Sequence, residues 1–247
     1  ANRYLLNSSG PVIGYYVNEP TTSQLVQGLT GNTEYTFSVQ SLRTVPGSST
    51  ISGATTSTVN ITTLPGSVTN IAASDVDHNS ITLSWDAPVN EGVHTYRIVP
   101  TGGSLSNVDV SAPSTTYTFD YIPSNTEYSF TISSITDDGL VGGSASLSGV
   151  MTGPSAVTDL ASTSGTSTSL SLEWSGSEGA NLYSVTNGSD TQTTTSNNIT
   201  FTGLTANTYY DIIVTSYNDT IKGGLSILDN LITAPLAPSD PYVSGLT

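Results

Sequence analysis

The sequence predicts an all-β chain built from tandem antiparallel β-sandwiches, and three observations support this fold class. One phrase with a fixed spacing occurs three times, as LTGNTEY from Leu29, IPSNTEY from Ile122 and LTANTYY from Leu204. Strict alternation of apolar and polar residues follows each copy, which indicates a strand with one buried face. Helix formers are scarce, and serine and threonine make up roughly a third of the 247 residues, a composition that favours strands and turns.

Two further phrases define the strands that precede the later copies. SITLSW ends at Trp85 and SLSLEW ends at Trp174, 89 residues further on, and both alternate in the same way. VTNIAAS from Val68 and VTDLAS from Val157 come before them, and VSGLT from Val243 is a shorter third copy. A period of about 85–90 residues, divided into short strands by glycine, proline and asparagine turns, is typical of a two-sheet antiparallel sandwich.

The order of these phrases resembles that of the fibronectin type III family. A proline-led first strand is followed by a strand that ends in tryptophan, a strand with tyrosine, and then Leu-x-x-x-Thr-x-Tyr. In that family the last tyrosine forms the tyrosine corner, and the tryptophan lies in the core between the sheets. The resemblance implies that each corner hydroxyl has a buried backbone partner. It also implies that these residues are core: Tyr35, Trp85, Tyr96, Tyr128, Trp174, Tyr183 and Tyr210.

The repeats divide the chain into four segments. Residues 1–64 are predicted to form an incomplete unit that lacks its first two strands, with NRYLLNS and IGYYVNE as its third and fourth. Residues 65–152 and 153–234 are each predicted to form a complete unit. Residues 235–247 are the first strand of a further unit or a donor strand for a neighbouring subunit.

Two explanations of the incomplete first unit remain open. Either the chain is a window of a longer array, or a strand from a neighbour completes the open sandwich and builds a filament head to tail. In both cases the linkers around Pro65 and Pro154 are short and stiffened by proline. We therefore expect a semi-rigid rod.

Charge and composition exclude several classes of protein. The chain has 19 acidic and 4 basic residues and a net charge of −15, so it has no basic patch for nucleic acid or an anionic membrane. It has no cysteine, which excludes disulfides and thiolate chemistry. No apolar run is long enough to span a membrane, and no cofactor is expected.

The residues that could carry catalysis or bind a metal are few. The two imidazoles, His78 and His94, are expected at opposite poles of the second unit, so we expect no enzyme. Glu91, Asp137 and Asp138 lie with His94 on two loops at one pole, and they are weak candidates for a calcium site. DDG at 137–139 is also an ordinary turn signal.

Five sequons are candidates for N-glycosylation, with one of them predicted in a tight exposed turn and another in a loop. The turn is NGSD at Asn187, and the loop residue is Asn218. The full set is Asn7, Asn60, Asn187, Asn198 and Asn218.

The sequence therefore favours a non-enzymatic structural repeat protein outside the cell or on its surface. We expect a rod in a surface filament, fibre or adhesin, with copies of itself, other surface proteins or glycans as partners. One alternative is a spacer or accessory region of a secreted enzyme that acts on polysaccharide. Another is the ectodomain of a cell-adhesion receptor.

Overall fold

The computed structural model describes residues 2–9, 14–47, 49–89 and 92–238, with Asn2 described by its backbone alone. These residues form 19 strands and no helix, and all the strand pairs are antiparallel. The prediction of an all-β chain of antiparallel sandwiches is confirmed. The strands fall into one open sheet, which comes first, and two sandwiches.

The first sandwich consists of seven strands in two sheets. One sheet has the order β10-β7-β6 and the other has the order β12-β11-β8-β9. Apolar residues at every second position of β7 and β11 face inward, so Leu83 and Phe130 are fully buried between the sheets. The strands are β6 (Thr69–Ser74), β7 (Ser80–Asp86), β8 (Val93–Thr101), β9 (Val108–Ser111), β10 (Thr116–Asp120), β11 (Glu127–Thr136) and β12 (Val141–Met151).

The second sandwich repeats this topology. Its sheets have the orders β13-β14-β17 and β16-β15-β18-β19. Trp174 meets Tyr183 edge to face with ring centroids 5.4 Å apart, and Trp85 meets Tyr96 in the first sandwich at the same distance. The strands are β13 (Thr158–Gly165), β14 (Ser169–Ser175), β15 (Leu182–Thr186), β16 (Thr191–Thr194), β17 (Asn198–Thr202), β18 (Tyr209–Asn218) and β19 (Ile221–Ile232).

The first strand of each sandwich carries the same bulge. Asn70 in β6 and Asp159 in β13 have φ angles of 52° and 54°, and the pairing with the next strand shifts register at both sites. Asparagine and aspartate tolerate this left-handed conformation better than other non-glycine residues. The asparagine or aspartate at the third position of the VTNI and VTDL phrases therefore serves the left-handed backbone conformation of the bulge in the first strand.

The open sheet is single-layered over the described residues. Its order is β2-β1-β3-β4, and β5 also pairs with β3. Phe37 and Val39 on its inner face are only half-buried, whereas their counterparts Phe130 and Ile132 are fully buried. The strands are β1 (Asn2–Ser8), β2 (Tyr15–Asn18), β3 (Glu34–Arg43), β4 (Ile51–Thr55) and β5 (Val59–Thr62).

Residues 21–30 form no strand, although the same stretch of the later repeats forms β10 and β17. In the sandwiches these strands pair with β7 and β14, the strands that end in tryptophan. The open sheet has no such strand among the described residues, so the segment has no ladder to join.

Candidate functional site

The threefold phrase forms a corner that fixes where the chain leaves each sheet. In the second sandwich Thr233, the first residue after β19, donates its hydroxyl proton to Thr205 O at 2.6 Å. Its oxygen accepts the backbone N–H of Thr208 at 3.0 Å, and its own N–H donates to Thr208 O at 3.1 Å. Thr63 and Thr152 make the equivalent bonds in the other two repeats. The last residue before each linker is therefore held on both sides.

The corner tyrosines are not equivalent, which corrects one expectation. Tyr210 Oη accepts the N–H of Thr205 at 2.9 Å, and Tyr35 Oη accepts that of Thr30 at 2.8 Å. The buried Tyr128 hydroxyl has no hydrogen-bond partner among the described residues. The residue five positions before it is Pro123, which has no N–H to donate. The expected backbone partner is therefore missing in the first sandwich. Burial raises the pKa of Tyr128, and the smaller opposing effect of the neighbouring Thr126 side chain does not cancel it.

Each sandwich receives the preceding linker in a recess that we call the linker notch. In the second sandwich the notch is formed by Ser216, Gly223 and Gly224. Gly224 N donates to Pro154 O at 2.9 Å, and the buried Ser216 hydroxyl donates to Ser155 O at 2.7 Å. A Cβ on Gly223 would lie 2.5 Å from Pro154 O, so glycine is required for this close approach.

The first sandwich has the same notch, formed by Ser134, Gly142 and Gly143. The fully buried Ser134 hydroxyl donates to Gly66 O at 2.6 Å. A Cβ on Gly142 would collide with the carbonyl of Pro65, and one on Gly143 would collide with Ser67. The proline-led linker is thus packed against the last strand of the unit that follows it, twice in the chain.

The two junctions also share a contact between loops. Asn32 in the open sheet and Asn125 in the first sandwich have left-handed φ angles of 45° and 46°. A Cβ on Gly92 would lie 2.7 Å from the Asn32 amide, and one on Gly179 would collide with the Asn125 amide. Each asparagine therefore packs against a glycine in a loop of the next unit.

The second junction is further tightened at Gly153. Its N–H donates to Asp77 O at 3.1 Å, and its carbonyl accepts the N–H of Asn125 at 2.8 Å. A Cβ at this position would collide with the backbone of Lys222 in the second sandwich. Gly153 is thus enclosed by backbone from both sandwiches, which leaves the linker little freedom.

The charged groups at the second junction attract each other. Burial alone would raise the pKa of the Asp77 carboxyl. Hydrogen bonds from the ring and backbone of His78, together with Coulombic interactions with His78 and Lys222, outweigh that effect, so the pKa of Asp77 lies below its usual value. Asp77 therefore stays ionised and faces Lys222 across the junction.

The metal candidates do not assemble a site in the part of the chain that is described. Glu91 lies outside the described residues. His94 Nδ1 and Asp137 Oδ1 are 3.7 Å apart and highly exposed, with side-chain exposures of 63% and 88%. No group of three potential ligands, Asp138 included, occurs among the described residues. Neither imidazole makes a hydrogen bond to a serine or threonine hydroxyl there.

The sequons differ in accessibility, and the predicted surroundings of two of them are wrong. Asn187 was expected in an exposed turn, but it is only 4% exposed because its Oδ1 accepts the N–H groups of Ser189 and Asp190. Asn218 was expected in a loop, but it is the last residue of β18 and pairs with Ile221. Asn60 and Asn198 are exposed, and Asn7 is half-buried.

The junction residues are not among those predicted from the sequence, although the sequence contains signals for them. Each serine of the notch lies six residues after a corner tyrosine, as in Tyr128 and Ser134 or Tyr210 and Ser216. A Gly-Gly pair follows it in both sandwiches. Serine and glycine are common in strands and turns, so their role at the junction becomes evident only from their contacts with the linker in the structure.

Comparison with known proteins agrees with the geometry. The sequence matches the family described as "Fibronectin type III domain" over residues 66–150 and 155–227. It is 32% identical to chitinase A1 of Niallia circulans over 200 residues, which cover 74% of this chain and 28% of that protein. It is 27% identical to the receptor-type tyrosine-protein phosphatase eta of Mus musculus over 237 residues, which cover 88% of this chain and 17% of that protein. The chain thus spans less than a third of the length of either relative.

Two solved structures align with this chain at low sequence identity. A two-domain fibronectin type III segment of chicken tenascin aligns over 66% of this chain and 99% of its own, with 16% identity and a TM-score of 0.37. The FN1–FN3 domains of chicken CNTN1 align over 94% of this chain and 91% of their own, with 15% identity and a TM-score of 0.39. None of the described residues forms a helix that could cross a membrane. The repeated corners, the paired sandwiches and the sequence match together establish that this chain belongs to the fibronectin type III family.

Proposed function

We propose that the chain is a non-enzymatic structural protein, a semi-rigid rod of fibronectin type III units outside the cell or on its surface. One observation carries the proposal, namely that the two junctions are built in the same way. In each, a linker of a few residues lies in a glycine-lined notch and an asparagine packs against the next unit. Such junctions restrict bending, whereas flexible linkers let units tumble independently.

The surface composition supports an exterior location. Hydroxyl and amide groups dominate, lysine occurs once, and Asn60 and Asn198 are exposed sequons. A match to a receptor-type protein favours the same location. A rod of this kind suits a surface fibre, filament or adhesin, in which it holds other groups at a fixed distance.

Small-angle X-ray scattering of the chain in solution tests the rod. A rigid rod gives one maximum dimension that agrees with the extended arrangement, and a flexible array gives a broad distribution of dimensions. The variant Gly153→Ala places a methyl group against the backbone of Lys222 and should bend or loosen the second junction. Gly165→Ala is the matched control, because its Cβ approaches the Leu170 side chain at 3.2 Å within one sandwich.

The outcomes separate the two possibilities. The proposal requires a single dimension for the natural chain, a changed distribution for Gly153→Ala and no change for Gly165→Ala. Denaturant unfolding of each variant verifies that both sandwiches remain folded. A broad distribution of dimensions for the natural chain would refute the proposal of a rigid rod.

A second candidate function is an accessory region of a secreted enzyme that acts on polysaccharide. The 32% identity to a chitinase favours it. In this role the units would bind polysaccharide or space a catalytic domain from it. Exposed aromatic side chains such as Tyr121 and Tyr209, which are 93% and 65% exposed, would serve as contacts. Co-sedimentation with insoluble chitin, for the natural chain and a Tyr121→Ala, Tyr209→Ala variant, tests this, and no binding counts against a direct contact with chitin.

A further inference from the structure

The open sheet carries a copy of the linker notch. Ser41 lies six residues after the corner residue Tyr35, as Ser134 and Ser216 do in the sandwiches. A Cβ on Gly53 would collide with the Ser41 hydroxyl, as one on Gly223 would with Ser216. Ser41, Gly53 and Ala54 therefore correspond to the serine and the glycine pair that hold each linker.

This copy is exposed, unlike the other two. Ser134 and Ser216 are fully buried by the linkers that they hold, whereas Ser41 is exposed and its hydroxyl makes no hydrogen bond among the described residues. All five residues of β4 are exposed, and no described strand pairs with its outer edge. The notch opens into a groove of 310 Å³ lined by Ser41, Arg43 and Gly53, among others. A second groove of 320 Å³ continues along the apolar inner face at Tyr4, Leu6 and Val39.

The two linkers bound in the notches of the sandwiches indicate which sequence would fit the notch of the open sheet. Each leads into a first strand that reads Val-Thr-Asn-Ile at 68–71 or Val-Thr-Asp-Leu at 157–160, with the third residue left-handed. Val-Ser-Gly-Leu at 243–246 has the same pattern, and glycine at its third position adopts the left-handed conformation most readily. The chain thus contains one first-strand sequence more than it has described sandwiches.

Charge supports the same pairing. Aligning Val243 with Val68 places Asp240 at the position of Pro65, which lies against the notch. Two arginines, Arg3 and Arg43, and one carboxylate, Glu19, line the groove beside Ser41. Arg43 takes part in none of the ion pairs found among the described residues. An aspartate that enters this groove would meet an arginine in a chain that has only four basic residues.

We propose that the notch of Ser41, Gly53 and Ala54 in one copy of the chain binds the segment Asp240–Leu246 of a second copy. The segment adds to the free edge of β4, and the Ser41 hydroxyl donates to one of its carbonyls. Since every copy carries both the notch and the segment, the contact is heterologous and builds a linear head-to-tail assembly. The proposal goes beyond the rod and does not depend on it.

An engineered disulfide tests the pairing directly. In the first sandwich a Cβ on Gly143 would lie 3.4 Å from Ser67 Cβ, close to the separation found in disulfides. The equivalent pair between copies is Ala54 and Tyr242. The chain has no cysteine, so the double variant Ala54→Cys, Tyr242→Cys introduces the only two thiols. We expect a ladder of covalent multimers on a non-reducing gel. Thr193→Cys, Tyr242→Cys is the matched control, because Thr193 is exposed on β16 of the second sandwich and lines neither groove.

Sedimentation velocity over a range of protein concentrations gives the second readout. The 247-residue chain should associate, and Gly53→Val, which fills the notch, should weaken association by about tenfold or more. Thr193→Val, which changes an exposed residue of β16 outside both grooves, should associate like the natural chain. A chain that stays monomeric, equal cross-linking by both cysteine pairs, or unchanged association of Gly53→Val would each overturn the proposal. Small-angle X-ray scattering from the Gly53→Val monomer tests whether a single chain is a rigid rod. The rod and the head-to-tail assembly can therefore be refuted independently.

Discussion

The corner tyrosines of the two sandwiches should respond differently when the hydroxyl is removed. Tyr210→Phe deprives the Thr205 N–H of its partner and should destabilise the second sandwich by about 1 kcal/mol. Tyr128→Phe removes a buried hydroxyl that has no partner, so it should leave the first sandwich unchanged or stabilise it by up to about 1 kcal/mol.

Tryptophan fluorescence during urea unfolding can measure both effects in one chain. Each sandwich contains one tryptophan, so Trp174→Phe leaves Trp85 to report the first sandwich and Trp85→Phe leaves Trp174 to report the second. The free energy of unfolding of each sandwich follows from its midpoint and slope. Each tyrosine variant is compared with its own single-tryptophan parent.

Pro123→Thr provides the complementary change, because it supplies the missing N–H. The expected gain is about 0.5–1.5 kcal/mol from the new hydrogen bond, set against about 0.4–1 kcal/mol for loss of the proline constraint on the unfolded chain. A double-mutant cycle with Tyr128→Phe isolates the coupling between the two positions. If Tyr128→Phe costs as much as Tyr210→Phe, or if the cycle shows no coupling, the account of the corner is wrong.

Three further predictions concern single groups. Ser216→Ala should destabilise the second sandwich by about 0.5–1.5 kcal/mol in the same assay, because it removes the hydrogen bond from the buried hydroxyl to the Ser155 carbonyl. The hydrogen bonds and charge of Arg97 lower the pKa of Asp109, so this pair stabilises the fold above the unfolded-state pKa of about 4. That contribution is lost as the pH falls through the lower pKa of Asp109 in the folded protein. The free energy of unfolding of Asp109→Asn should therefore depend less on pH in this range than that of the natural chain, which acid titration can measure. Expression in a glycosylating host followed by peptide mass spectrometry should find Asn187 unmodified, whereas a glycan there would contradict its burial.

The fold was predictable because the signals for it are local and repeated. Alternation after Tyr35, Tyr128 and Tyr210 fixes which face of each strand is buried, and the tryptophans mark the opposite sheet. Burial of Trp85 and Trp174 at 3% and 5% exposure follows directly from that pattern.

The details that escaped prediction depend on partners far away in the sequence. Residues 23–27 have the same spacing as β10, but a strand forms only where a neighbouring strand supplies hydrogen bonds. Pro123 is typical of a turn in the sequence, and only the structure shows that the Tyr128 hydroxyl lacks the N–H that another residue would supply there. The role of Ser134 could not be predicted for the same reason, because its hydroxyl donates to the carbonyl of Gly66, 68 residues away in the sequence.

The chemistry of the second junction bears on how the protein behaves when ionic strength changes. Its hydrogen bonds join neutral groups, as in Gly224 N to Pro154 O, and salt screens charges but leaves such bonds almost unaffected. Asp77 and Lys222 supply a charged attraction there, and a Debye length of about 8 Å at physiological salt reduces its reach. The angle between the two sandwiches should therefore be the same in dilute buffer and in brine, even though the chain carries a net charge of −15.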